Sequence, residues 1–155
     1  SSLDNVEEFD ADNIESILDC NFSTAQIRTI INRCERNVIL ESSKIGNAVV
    51  REYLKESWDL DVEKLIVASN SISDIETKLK LFASIIMRSD IEDSYVTLLI
   101  NILPEEYHQL NEKGKRVKLE STEHNMLLAE SLKARGYISK YATKGDEIQL
   151  NTKRG

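Results

Sequence analysis

Between Asp12 and Leu110 the apolar residues return every three or four positions; at Val117 and Leu119, and again at Ile148 and Leu150, they alternate, with one more helical stretch between. The first period builds one face of a helix and the second one face of a strand. A chain with that switch is expected to be mainly α: a helical domain with a small antiparallel β element at its C-terminal end. Five glycines and one proline in 155 residues leave little room for long structureless loops.

Local signals divide the helical part. Ser23, with Gln26 three positions on, has the spacing of a capping box. The helix it opens, through Ile27, Ile30, Ile31 and Cys34, is expected to run to Arg36 or Val38. Ser42 or Ser43, then Asp61 and Asp90, are expected to cap later helices. The Asp90 helix is expected to bury Tyr95, Leu98, Leu99 and Ile102. Pro104 suits a first helical turn. Val117 and Leu119 mark a strand, Ser121 or Thr122 opens another helix, and Gly136 is placed to stop it. Residues 137–142 and 147–151, joined across Gly145, read as a hairpin.

Charge is split along the chain. Residues 1–107 hold 10 Lys/Arg and 21 Asp/Glu, a net of −11, while residues 108–155 hold 10 and 6, a net of +4; together they give the whole chain's −7. Such a distribution repels a polyanion at one end and attracts it at the other, though acidic surface also serves solubility alone. The run Lys113-Gly-Lys-Arg-Val-Lys118 concentrates the positive end. It fits phosphate contact, or lysines guarding an edge strand.

The segments LLAESLKARGYISKY and KGDEIQL give an amphipathic helix, a glycine stop and a hairpin. In element order, residues 91–152 resemble the winged-helix superfamily. The resemblance pairs Ile91–Leu103 and Glu105–Leu110 with the first two helices, 122–135 with the recognition helix, and the hairpin around Gly145 with the wing. It implies that the start of the 122–135 helix meets a nucleic-acid groove, with Ser121, Thr122, His124 and Asn125 reaching bases or phosphates. Lys140 and Lys144 would contact phosphate from the hairpin. Lys113, Lys115, Arg116 and Lys118 would form an approach patch, and Lys133 would extend the positive surface. Glu120 and Glu123 oppose this by placing negative charge at the same helix end. A plainer reading makes the region a β-α-β-β cap on a helical core, its lysines merely solvated.

Catalytic constellations are poor. His108 and His124 stand apart from other ligand residues, and neither a nucleophile elbow nor a phosphate-binding glycine loop is present. No metal and no cofactor is expected. Cys20 and Cys34 are expected to be reduced core residues, which favours an intracellular compartment, cytoplasmic or nuclear. The longest apolar run, Val96–Leu103, is interrupted by Thr97 and Asn101. It is far short of the roughly 20 residues of a membrane span, so no membrane partner is expected.

Four regions are expected: a disordered 1–11, an acidic helical 12–103, a winged-helix-like 91–152 packed as one domain with it, and a tail at 153–155. The expected function is that of a non-enzymatic regulatory or adaptor protein. Its basic C-terminal unit would contact nucleic acid and its acidic helices would contact protein. The alternative is a pure protein–protein interaction module. Oligomeric state is left open.

Overall fold

A computed structural model describes residues 10–20, 22–56 and 58–154. The chain is mainly helical, with a three-stranded antiparallel sheet near its C-terminal end. It divides into two compact units, Ser1–Asp74 and Ile75–Gly155. The division falls well before the expected 91–103 overlap.

The N-terminal unit holds α1 (Ala11–Leu18), α2 (Thr24–Arg33), α3 (Arg36–Glu41), α4 (Ser43–Lys55) and α5 (Val62–Ser69). Asp10 caps α1 by accepting from the Asn13 N–H, so positions 10 and 11 belong to a helix start and not to a disordered arm. Residues 1–9 of that expected arm lie outside the described residues. Ser23 and Gln26 form the capping box of α2. The helix ends earlier than its apolar spacing suggests, because Cys34 is extended at ψ 130°. The Lys64 ammonium donates to the Ile31 and Asn32 carbonyls at 3.2 and 2.7 Å, which satisfies the acceptors the early stop exposes. Ile30, Ile39, Ile45, Val49, Tyr53 and Leu65 are among the buried core residues.

The C-terminal unit holds α6 (Ile75–Ile86), α7 (Asp93–Ile102), a 3₁₀ helix (Glu105–Asn111), β1 (Arg116–Glu120), α8 (Glu123–Arg135), β2 (Ile138–Lys144) and β3 (Glu147–Thr152). The sheet order is β1-β3-β2. The segment 105–111 is a tighter 3₁₀ turn, and β1 separates it from α8, so the two do not form a continuous helix-turn-helix. Helix α6 packs against α8, which draws it into this unit. Leu79, Leu81, Phe82, Ile85 and Ile86 of α6 are fully enclosed. Asp90 does not cap α7; its carboxylate takes a two-point hydrogen bond from Arg88 at 2.8 and 2.7 Å, and Glu92 occupies the cap position. The inward residues of α7 are Val96, Leu99 and Ile100, whereas Leu98 is exposed. Arg135 stitches the α6–α7 connection by donating to the Arg88 carbonyl at 2.7 Å and to the Ile91 carbonyl.

Gly136 ends α8 with a left-handed φ of +86°. Gly145, at φ +60°, is the first of two residues between the paired Lys144 and Glu147, the placement a type II′ turn favours.

Candidate nucleic-acid interface

Strand period two sorts the sheet into two faces. Val117, Leu119, Ile148 and Leu150 are buried on the face that α8 covers. The other face carries residues in register across the three strands. Its first row is Arg116, Asn151 and Lys140; the second is Lys118, Gln149 and Ala142; the third is Glu120, Glu147 and Lys144. A bulge in β2 inserts Ser139 before Lys140, and both are exposed. The extra residue turns Lys140 toward the first row.

Beyond the first row, the chain entering β1 and the chain leaving β3 are tied together. The Lys115 N–H donates to Thr152 Oγ1 at 2.7 Å, the Thr152 N–H donates to the Lys115 carbonyl at 2.8 Å, and the Gly114 N–H donates to the Lys153 carbonyl at 2.9 Å. These bonds bring Lys115, Lys153 and Arg154 beside Arg116 and Lys140. Together they line an open hollow of about 560 Å³ with Gly114, Ser139, Asn151 and Thr152. Among the described residues, no Asp or Glu lines it. A second hollow, about 240 Å³, continues along the face past Tyr141, Lys144 and Gln149.

Among the described residues, several cations elsewhere are matched by carboxylates, Arg28 by Glu56, Arg36 by Glu63, Lys44 by Asp19, Lys55 by Glu52, Lys80 by Glu76, Arg88 by Asp90, and Arg135 by Asp93, while Arg51 and Lys78 stand singly without one. Lys115, Arg116, Lys118, Lys140, Lys144 and Arg154 have no carboxylate within 4.0 Å. They stand unneutralised in a chain of net charge −7.

The expected groove-reading turn at the start of α8 is built differently. Thr122 accepts from the Asn125 N–H at 3.1 Å and is thereby used as the helix cap. Asn125 is 3% exposed. Its Oδ1 accepts from the Tyr107 hydroxyl at 2.6 Å, and its Nδ2 donates to the Glu120 carbonyl at 2.9 Å. Burial pushes the Tyr107 phenol above its ordinary pKa, with Glu106 adding to the rise and the Asn125 bond opposing it. Asn125 is therefore a core residue fastening the 3₁₀ helix to α8, and it is withdrawn from any ligand. Ser121 is exposed, its N–H donating to the Asp146 carbonyl at 2.7 Å; His124 is half-buried. Glu120, Glu123, Asp146 and Glu147 surround this end with exposed carboxylates. Along the strand, the acidic end lies four residues, roughly 13 Å, from the Arg116 row.

Of the expected residues, Arg116, Lys118, Lys140 and Lys144 thus share one face, and Lys115, one position before β1, joins Arg116 and Lys140 in lining the hollow. Lys113 is exposed in the turn before β1. Lys133 belongs to α8, its ammonium 5.7 Å from the centre of the Tyr141 ring. The expected set omits Lys153, Arg154, Gln149 and Asn151. The hairpin register alone would have found the last two, since pairing Lys144 with Glu147 sets Lys140 opposite Asn151.

Among the described residues, no group of three or more His, Cys, Asp or Glu could hold a metal. The two cysteines are free; Cys34 is buried as expected, but Cys20 is exposed.

The chain is similar to the uncharacterized membrane protein YobI of Bacillus subtilis (strain 168), at 25% identity over 150 residues. The match covers 94% of this chain but only 12% of that protein's length. No family model matches, and no solved structure matches. The similarity overturns the expectation that membranes play no part, because the relative is called a membrane protein. No described helix is long and apolar enough to cross a membrane.

Proposed function

We propose that the C-terminal unit is a non-enzymatic, winged-helix-like docking module that binds the phosphate backbone of nucleic acid through the outer face of its sheet. The observation that carries this reading is the set of unneutralised cations: Arg116, Lys118 and Lys140 in register around Asn151 and Gln149, with Lys115 joining them at the end hollow. Cations left unpaired and close together repel one another, and a polyanion relieves that repulsion while releasing its own counterions. The outward positions of the three strands carry no aromatic side chain. Tyr141 borders the second hollow but is paired with buried Leu150 and has the Lys133 ammonium of α8 near its ring, so base stacking, the usual means of holding single strands on a sheet, has no platform in the outward rows. Binding is therefore to backbone and insensitive to sequence. The acidic N-terminal unit, with 7 Lys/Arg against 15 Asp/Glu in residues 1–74, suits a basic protein surface.

Fluorescence anisotropy with duplex DNA and RNA tests the reading. Neutralising about four phosphates gives a slope of log affinity against log salt near −4. Failure to bind below the high micromolar range at ~50 mM salt would end it.

A second reading is favoured by the membrane-protein relative: the same face would lie against anionic lipid headgroups, each cation adding about 1 kcal/mol near the surface. Co-sedimentation with phosphatidylserine vesicles, but not with phosphatidylcholine vesicles, in the absence of duplex binding would select it.

A further inference from the structure

We infer that the hollow at the end of the sheet is a subsite for clustered phosphate, meaning several linked phosphoryl groups, as in a nucleic-acid 5′-triphosphate end or a free polyphosphate. This rests on the reading of the outer sheet face as phosphate-binding. An extended backbone presents its charges in file, and the strand rows answer that pattern. The hollow has another geometry. Its cations come from three separate stretches of chain: Lys115 and Arg116 at the start of β1, Lys140 at the β2 bulge, and Arg154 after β3. They converge on one concavity of about 560 Å³, within the size range of small-ligand sites. Ser139 and Asn151 add polar groups to the wall. Lys153 also lines it, though its ammonium lies only 3.2 Å from where a Cβ on Gly136 would stand, at the C-terminal end of α8.

Charge density decides the ligand class. A terminal monophosphate carries about −1.5 to −2 and would leave much of the repulsion among four cations in place. Linked phosphoryl groups bring roughly twice that charge into one small volume. Among the described residues no Asp or Glu lines the hollow, so no side-chain carboxylate there offsets these cations. Two arginines present forked donors suited to bidentate phosphate contact, with the lysines as point charges.

The test uses the full chain and two labelled RNA hairpins that differ only in a 5′-triphosphate or a 5′-hydroxyl. Anisotropy at matched ionic strength is expected to give about tenfold tighter binding of the triphosphate end. Inorganic tripolyphosphate is expected to bind by calorimetry and to displace that hairpin. Lys140→Glu and Arg154→Glu should erase the preference. Lys118→Gln, outside the hollow, should weaken both hairpins equally and keep the ratio. Equal affinity for the two hairpins, with no tripolyphosphate binding, overturns the subsite while leaving the backbone reading in place. Tripolyphosphate binding without RNA binding upholds the subsite for a free polyphosphate and removes the backbone reading. If neither binds, both fall.

Discussion

Replacing Asn125 by Ala takes an acceptor from the Tyr107 hydroxyl and a donor from the Glu120 carbonyl, both within the buried seam between the 3₁₀ helix, β1 and α8. A phenol left unpaired in the interior loses its bond without regaining water, so the cost should be about 2–3 kcal/mol of unfolding free energy in urea. Affinity of the folded fraction for duplex should stay unchanged; a large affinity loss with intact stability would return the α8 start to the binding surface. Single-sequence reading placed this asparagine among ligand contacts because a polar residue in a first helical turn fits a cap, a base contact and a core bond equally well. Only the position of Tyr107, 18 residues away, distinguishes them. The cysteines separate at the same scale. Cys34 is 1% exposed, and burial pushes its thiol up to about 11, with Lys64 opposing and Glu35 adding. Because the folded pKa lies above the unfolded one, its contribution is intact below pH 9.0 and is lost as pH rises toward about 11. Wild type should therefore lose about 2 kcal/mol more than Cys34→Ala between pH 8 and 10.5. Native alkylation should label Cys20 and spare Cys34, and equal labelling would contradict the buried position.

Signals that act within one turn of backbone were legible at the scale of the element. The Ser23–Gln26 box, the Gly136 stop and the Gly145 turn each follow from a local requirement, and each stands where spacing put it. Signals that depend on a distant partner were not. Apolar spacing carries α2 through Cys34, yet the helix stops at Arg33 where Cys34 turns extended, and Lys64, from α5, supplies donors to the Ile31 and Asn32 carbonyls at that end. The Leu98 position on α7 satisfies helical period but points outward, since period fixes a face only to within its width. In the candidate site, strand alternation already separated Arg116 and Lys118 from Val117 and Leu119. What it could not supply is the closure by Thr152 that brings Lys115 and the residues after β3 to the same end. Gly136 permits a test of an element boundary. A Cβ there meets left-handed strain and the Lys153 ammonium, so Gly136→Ala should cost about 1 kcal/mol or more in thermal or urea unfolding. A stabilised variant would mean the left-handed cap is not formed.

At the scale of the whole molecule, the charge division follows the two units. Residues 1–74 carry a net of −8, and residues 75–155, with 13 Lys/Arg against 12 Asp/Glu, a net of +1. The C-terminal unit is thus nearly neutral in sum, yet its sheet is polar in arrangement, with Arg116, Lys118 and Lys140 on its outer face and Glu120, Glu123, Asp146 and Glu147 toward the α8 start. Net charge acts over a Debye length, about 10 Å at 0.1 M salt, whereas the face acts by contact. Each unit encloses its own apolar core, so a chain of residues 75–155 should unfold cooperatively by itself. Freed of the −8 segment, it should bind duplex severalfold more tightly than the full chain at ~50 mM salt, and the advantage should shrink as salt shortens the screening length. The slope of log affinity against log salt should remain near −4 for both, because the same cations displace the same counterions. Weaker binding by the shorter chain, once shown to be folded, would assign part of the phosphate-binding surface to residues 1–74.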